Sequence, residues 1–201
     1  MVKLTSEEIS DALSAYQIQQ NKRYAEILTA ENLKNFRQAA VIIPMLKKDG
    51  HWHILLTLRS QELVEHRGQV AFPGGAREAD DDNLRWTALR EMHEEVGVEP
   101  HDVRILGRLG DMPVITGYMV RVFVGEIPWP YSLKVNSDEV ESAFVVPLDW
   151  LADPVHHTVK YRTYAGREIP VIYFDQYDGY QLWGASAEMT LALFSALNLN
   201  N

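Results

Sequence analysis

Two glutamates one helical turn apart, Glu91 and Glu95, have the residue type and spacing for metal chemistry. On a helical wheel of ~100° per residue they fall at the edge of an apolar arc. The arc consists of Leu84, Ala88, Leu89, Met92 and Val96. Carboxylates at positions i and i+4 lie roughly 5 to 6 Å apart and repel each other, and partial burial increases the repulsion. A shared Mg²⁺ or Mn²⁺ ion would remove this conflict, because both cations prefer carboxylate and water oxygens.

A glutamate pair of this kind is more often just a solvated part of a surface helix. The segment before the helix argues against that interpretation here. Residues 72–75 have the sequence FPGG, and paired glycines before a helix let the backbone approach a ligand closely. A carbonyl group of this loop could therefore join the carboxylates around an ion. The wheel places Glu94 farther from the apolar arc than Glu91 and Glu95.

The composition excludes several classes of function. The 201 residues have a net charge of −9, whereas duplex DNA binding requires clustered Lys and Arg. The chain has no cysteine, which excludes disulfides, a thiolate zinc site and a Cys nucleophile. The N-terminal residues lack the apolar core of a signal peptide, and no apolar run approaches the ~18 to 20 residues of a membrane span. We expect a cytoplasmic protein with a small-molecule substrate and with no nucleic-acid or membrane partner.

The rest of the pattern indicates one domain that mixes helices and strands. We expect helices at residues 5–30, 83–96 and 184–198, and strands at residues 39–46, 51–58, 103–109, 118–127, 141–148 and 169–174. Thr5 and Glu8 have the spacing of a capping box. The first two strands form a hairpin, and a later hairpin turns at residues 165–166. Pro44, inside the first strand, suggests an edge position or a bulge.

The segment 74–98 resembles the Nudix box, whose pattern is Gly, five residues, Glu, seven residues, then Arg-Glu-apolar-x-Glu-Glu-x-Gly-apolar. The second half matches fully, through Arg90, Glu91, Met92, Glu94, Glu95, Gly97 and Val98. In the first half, counting back from Arg90 places Asp82 where the family has Glu. The opening glycine, Gly75, lies one residue early. We interpret the difference as a one-residue loop insertion with Asp in place of Glu.

The resemblance implies a Nudix fold, an α/β (α+β) architecture with a mixed β-sheet sandwiched between α-helices. We expect residues 1–201 to form a single Nudix hydrolase domain with an N-terminal helical extension at residues 1–35. The family holds one to three Mg²⁺ or Mn²⁺ ions on its box carboxylates. This implies Glu91 and Glu95 as metal ligands, with Glu94 as a direct or water-mediated ligand and the Gly74 carbonyl as a further one.

Other roles follow from the same resemblance. Arg90 would orient the glutamates by pairing with Asp82 or Glu94. The general base stays open between Glu94 and a carboxylate of a later segment, Glu139 or Glu141, because some Nudix enzymes draw the base from a later loop. Family members are often dimers, so a homodimer is a further expectation.

Residues 55–75 resemble the additional signature of the coenzyme A diphosphatase subfamily. The match consists of Leu55, Leu56, Thr57, Arg59, Ser60, Arg67, Gly68, Phe72, Pro73, Gly74 and Gly75. It implies hydrolysis of coenzyme A to 3′,5′-ADP and 4′-phosphopantetheine. Arg59 and Arg67 are candidate substrate contacts, because Arg can hold a phosphate through two parallel hydrogen bonds.

Three alternatives stay open. The two arginines could instead pair with the acidic residues Glu62 and Glu65 at the surface. The enzyme could act on another nucleotide, such as ADP-ribose, NADH or a nucleoside triphosphate. The chain could also be a module that binds a nucleotide without cleaving it, although such modules often lose box glutamates.

Overall fold

The computed structural model describes residues 2–16, 33–62 and 67–199 of the chain. The helices are α1 (Ser6–Ala15), α2 (Leu84–Val96), α3 (Leu148–Ala152) and α4 (Gly184–Ala196). The strands are β1 (Arg37–Lys48), β2 (His51–Arg59), β3 (Val70–Ala71), β4 (Gly74–Ala76), β5 (Arg104–Val114), β6 (Tyr118–Glu126), β7 (Val140–Pro147), β8 (His157–Tyr164), β9 (Arg167–Tyr177) and β10 (Tyr180–Trp183). Short 3-10 turns occupy Pro100–Asp102 and Pro154–His156.

The strands form two sheets, and the larger one is mixed. In this seven-stranded sheet β1 pairs in parallel with β6 and antiparallel with both β2 and β4. β5 pairs with β6, while β3 and β7 pair with β2, all antiparallel. The smaller sheet is antiparallel, in the order β10-β9-β8. Its β8–β9 hairpin turns at residues 165–166, as the sequence predicts.

Both faces of the larger sheet are buried, and β1 shows this directly. Successive side chains of a strand point to opposite faces. On one face Ala40, Ile42 and Leu46 of β1 pack in the same cluster as the apolar residues of α2. On the other face Ala39, Ile43 and Met45 share a cluster with α1, α4 and the smaller sheet. The expected mixed sheet between helices is therefore confirmed.

The N-terminal helix begins as the sequence predicts. The Thr5 side chain accepts a hydrogen bond from the Glu8 amide, and the Glu8 carboxylate accepts one from the Thr5 amide. The helix ends at Ala15, and residues 17–30 of the predicted 5–30 helix lie outside the described residues. No helix of the described part is both long and apolar enough to cross a membrane.

The edge position expected for Pro44 was wrong, because β1 has neighbours on both sides. Val41 is the last residue of β1 that pairs with β4, and Met45 is the first in register with β2. The Ile42 amide donates to the Pro73 carbonyl. Alternate residues direct their backbone groups to the same side, so the ring nitrogen of Pro44 faces the gap between β4 and β2. A residue without an N–H group breaks no ladder bond there.

A buried ion pair joins the loop after β4 to α2. The Arg90 guanidinium donates to both oxygens of Asp81, from Nε at 2.9 Å and from Nη2 at 3.0 Å. Asp81 is only 3% exposed and also accepts from the Glu78 amide and the Thr87 hydroxyl. The Arg90 guanidinium holds the pKa of the Asp81 carboxyl well below its ordinary value.

This pair corrects the assignment of Asp82, which is exposed and was expected to pair with Arg90. Gly75 and Asp81 retain the Gly-x5-acid spacing of the box, and the inserted residue lies between Asp81 and Arg90. The other expected partner is confirmed, since Arg90 Nη1 donates to Glu94 Oε2 at 2.8 Å.

The two neighbouring aspartates provide a matched test of this ion pair. We expect Asp81→Asn to lower the free energy of unfolding by about 3 kcal/mol. This is the lower end of the range for removing one partner of a buried pair, because Arg90 retains its contacts with Glu91 and Glu94. Asp82→Asn should change it by no more than about 0.5 kcal/mol. Urea denaturation of both variants measures the difference, and equal free energies would contradict the assignment of Asp81.

Candidate metal centre

Helix α2 positions the two glutamates that the wheel predicts. Its N-terminus is capped by Asn83, whose side chain accepts from the Trp86 amide at 3.0 Å. It ends at Val96, and the next residue, Gly97, caps it in the left-handed conformation (φ 71°) that favours glycine. Between these caps Glu95 is 1% exposed and Glu91 is half-buried, as expected for residues at the edge of the apolar arc.

A third carboxylate, that of Glu139, meets these two. One oxygen from each of Glu91, Glu95 and Glu139 lies within 4.8 Å of the others. Glu139 comes from the segment between β6 and β7, directly before the first residue of β7. The cluster therefore combines two side chains of one helix with a third from a distant part of the sequence.

Glu95 is the most deeply buried member of the cluster. Burial raises the pKa of its carboxyl from 4.5 to about 8, against the opposing charge of Arg59 and a backbone hydrogen bond from Gly74. Arg59 Nη1 lies 3.8 Å from Glu95 Oε1. The other oxygen, Oε2, is buried and has no hydrogen-bond partner within the described part of the chain. A buried polar atom of this kind is rare in proteins, and a bound ion or water molecule can satisfy it.

Glu91 lies against the glycine pair of the preceding loop. A Cβ atom added to Gly75 would lie 2.4 Å from Glu91 Oε1, so no other residue fits at position 75 without displacing the carboxylate. Burial raises the pKa of Glu91, although Arg90 Nη1 donates to its Oε1 at 3.0 Å. Gly74 is equally confined, because an added Cβ would lie 2.4 Å from the Ala40 carbonyl oxygen.

These features fit a hard divalent cation. Three carboxylates that share a half-buried pocket repel one another, and an ion among them would compensate the charge. Carboxylate oxygens are the ligands that Mg²⁺ and Mn²⁺ select. The unpartnered Oε2 atom of Glu95 supplies a free ligand atom for such an ion.

The other predicted site residues lie at varying distances from this cluster. Arg59 contacts Glu95 directly. Glu94 is outside the group of three, with 45% of its side chain exposed and its carboxylate held by Arg90. Arg67 is exposed at the turn before β3, and Glu141 is exposed on β7. The alternative partner Glu65 lies outside the described residues.

Comparisons with known proteins agree with this geometry. A family model described as NUDIX domain matches residues 36–166, more than half of the chain. The chain is 36% identical over 180 residues to the uncharacterized Nudix hydrolase NudL of Citrobacter koseri, covering 89% of each protein. It is also 36% identical over 175 residues to a NudL of Escherichia coli (strain SMS-3-5 / SECEC), covering 87% of this chain and 82% of that one.

One solved structure shows the same fold at low sequence identity. The crystal structure of DR0079 from Deinococcus radiodurans superposes with a TM-score of 0.52 and 14% identity, covering 79% of this chain and 83% of that one. The extent of the family match and the identity to the two relatives together show that the chain belongs to the Nudix family.

Proposed function

We propose that this protein is a divalent-metal-dependent hydrolase that cleaves the diphosphate bond of a nucleotide derivative. The observation that supports this best is the convergence of Glu91, Glu95 and Glu139, with one buried Glu95 oxygen unpartnered. Membership of the Nudix family supports the same chemistry, since both relatives are named Nudix hydrolases.

We propose Mg²⁺ or Mn²⁺ as the ion, with Glu91, Glu95 and Glu139 as its ligands and with the Gly74 carbonyl as a further one. Bound there, the ion would neutralise the diphosphate and lower the pKa of an attacking water molecule. Arg90 holds Glu91 and Glu94 in place while Asp81 fixes its guanidinium. Arg59 supplies a cation next to the cluster, where a phosphate oxygen of the substrate would bind.

We propose that Glu139 accepts the proton of the attacking water through the carboxylate oxygen that does not bind the ion, because this residue lies at the cluster. Glu94 is the second candidate, and it faces solvent beside Arg90. Water attack at one phosphorus atom breaks the P–O–P bridge, and the bridging oxygen leaves with the other phosphate. The reaction therefore needs no covalent intermediate on the protein.

We propose coenzyme A as the substrate. The support is the resemblance of residues 55–75 to the subfamily signature, together with the positions of two arginines. Arg59, the last residue of β2, lies at the cluster, and the exposed Arg67 lies on the connection that follows, between β2 and β3. Coenzyme A bears a 3′-phosphate in addition to its diphosphate, so a second cation outside the cluster suits it. Hydrolysis gives 3′,5′-ADP and 4′-phosphopantetheine.

A comparative hydrolysis assay tests the reaction and the substrate together. Coenzyme A, ADP-ribose, NADH and dGTP are incubated with the protein and with Mg²⁺, Mn²⁺ or EDTA. We expect release of 3′,5′-ADP from coenzyme A with either ion, and none with EDTA or with Glu95→Gln. Cleavage of another nucleotide only would retain the metal chemistry and reject coenzyme A. Nucleotide binding without any cleavage would indicate a non-catalytic module.

Glutamine variants at two positions distinguish the candidate bases. We expect Glu139→Gln to lower kcat by about 10²- to 10⁴-fold, the usual contribution of a general base. Glu94→Gln should have a smaller effect, because Glu94 lies outside the cluster. Steady-state kinetics at saturating metal concentration measures both. A larger loss in Glu94→Gln would assign the base to Glu94 instead.

The stability of the metal-free protein should depend on pH through Glu95. The pKa of Glu95 is about 8 in the folded chain and near 4.5 when exposed, so the folded state binds the proton more tightly between these values. Stability in EDTA should therefore fall as the pH rises from about 4.5 to about 8.

Thermal unfolding in EDTA across this pH range measures the effect. Glu95→Gln should flatten the dependence of Tm on pH, whereas Glu141→Gln, at an exposed position, should retain it. Above pH 8, Mn²⁺ should raise the Tm of the wild-type protein more than that of Glu95→Gln. The same slope in the wild type and in Glu95→Gln would show that Glu95 is not the responsible group.

A further inference from the structure

The segment between β6 and β7 is attached to the last turn of α2 by two backbone hydrogen bonds. The Lys134 amide donates to the Val96 carbonyl at 2.9 Å, and the Asn136 amide donates to the Glu95 carbonyl at 3.0 Å. Carbonyl groups of a helix's last turn have no partner within the helix, so they are available to an approaching segment. Asn136 is therefore bonded to the backbone of Glu95, whose side chain lies in the carboxylate cluster.

Asn136 also fixes the backbone of Glu139. Its carbonyl accepts from the Glu139 amide at 3.1 Å and from the Val140 amide at 2.9 Å, which closes a turn. The Glu139 carbonyl accepts from the Ser60 amide at 2.9 Å. The backbone of Glu139 is therefore held from two sides, by Asn136 and by the residue that follows β2.

The Asn136 side chain uses both of its ends in the same turn. Its Oδ1 atom accepts from the Asp138 amide at 3.2 Å, as in an Asx turn. This contact directs the amide nitrogen the other way, and Nδ2 donates to Glu139 Oε1 at 3.4 Å. The latter bond is longer than the usual distance of about 2.9 to 3.0 Å, so it adds a weak contact to the two backbone hydrogen bonds that hold this turn.

We propose that Asn136 is a positioning residue that sets the separation between the Glu95 and Glu139 carboxylates. The inference depends on the proposed metal site, which these carboxylates would form. Asn136 contacts both proposed ligands. Its backbone amide donates to the Glu95 carbonyl, while its own carbonyl accepts from the Glu139 amide and its side chain donates to the Glu139 carboxylate. Mutation of a residue that hydrogen-bonds to a metal ligand typically lowers metal affinity by about 10- to 100-fold.

The test measures Mn²⁺ binding to the full chain without nucleotide, by titration calorimetry or by the electron paramagnetic resonance signal of free Mn²⁺. We expect Asn136→Ala to weaken Mn²⁺ binding about tenfold. Asn136→Ser keeps an oxygen that can accept from the Asp138 amide but lacks the Nδ2 group that donates to Glu139 at the same time, so it should also weaken binding. Lys134→Ala is the matched control, because Lys134 contacts α2 through its backbone amide. The Mn²⁺ affinity of this variant should equal that of the wild type.

A double-mutant cycle separates positioning from a general effect on the fold. If Asn136 acts through Glu139, Asn136→Ala should have little further effect on Mn²⁺ affinity in a Glu139→Gln background. Losses that add in the double variant would overturn the proposal. The serine variant serves in the same cycle if Asn136→Ala does not fold, as judged by circular dichroism.

Two further outcomes distinguish this proposal from the metal site itself. If Glu139→Gln weakens Mn²⁺ binding while both Asn136 variants bind like wild type, the positioning role is wrong and the metal site stands. If Glu139→Gln binds Mn²⁺ like wild type, Glu139 is not a ligand, and both the three-carboxylate site and the role of Asn136 are overturned.

Discussion

The mutual repulsion of buried carboxylates determines the construction of this site. Glu95 is almost fully buried, and the half-buried Glu91 and Glu139 lie beside it. Each additional negative charge in such a place raises the cost of ionising the others. The surrounding residues reduce that cost only in part, because Arg59 lies 3.8 Å from Glu95 and Arg90 is shared among Glu91, Glu94 and Asp81. The remaining negative charge is what a bound cation would compensate.

The larger sheet supplies the rigid frame for this cluster. β1 pairs first with β4 and then with β2, and the change of partner at Pro44 places the glycine loop and the end of β2 next to each other. α2 packs across the same strand through Ala88, Met92 and Val96. The site is thus built where the loop, the helix and the end of β2 meet.

The sequence predicted those parts of the site that depend on local periodicity. The burial of Glu95 and the exposure of Glu94 follow from the helical wheel, and the hairpins and most element positions follow from apolar runs and turn residues. The arginine partner was misplaced by one residue. Counting back from Arg90 assumed a fixed loop length, whereas Asp81 keeps the spacing from Gly75 and is buried against Thr87. Counting forward from Gly75 would have found it.

Long-range contacts account for what the sequence left open. Whether Glu139 or Glu141 reaches the cluster depends on how the segment before β7 attaches to α2 and to Ser60, and no local pattern encodes those contacts. The same holds for Asn136, whose neighbours in the chain are ordinary turn residues. The position of Pro44 was misjudged for a related reason. A proline is tolerated inside β1 because β4 ends and β2 begins beside it, and the sequence does not show where these neighbouring strands lie.

The contact between Gly75 and Glu91 couples these two positions. The Glu91 carboxylate occupies the space that any side chain at position 75 would need. Because this carboxylate is the far end of a flexible side chain, a Cβ atom at position 75 would displace it rather than the surrounding backbone. A substitution of Gly75 would therefore act at a distance on the carboxylate cluster, through the position of Glu91, and leave the sheet in place.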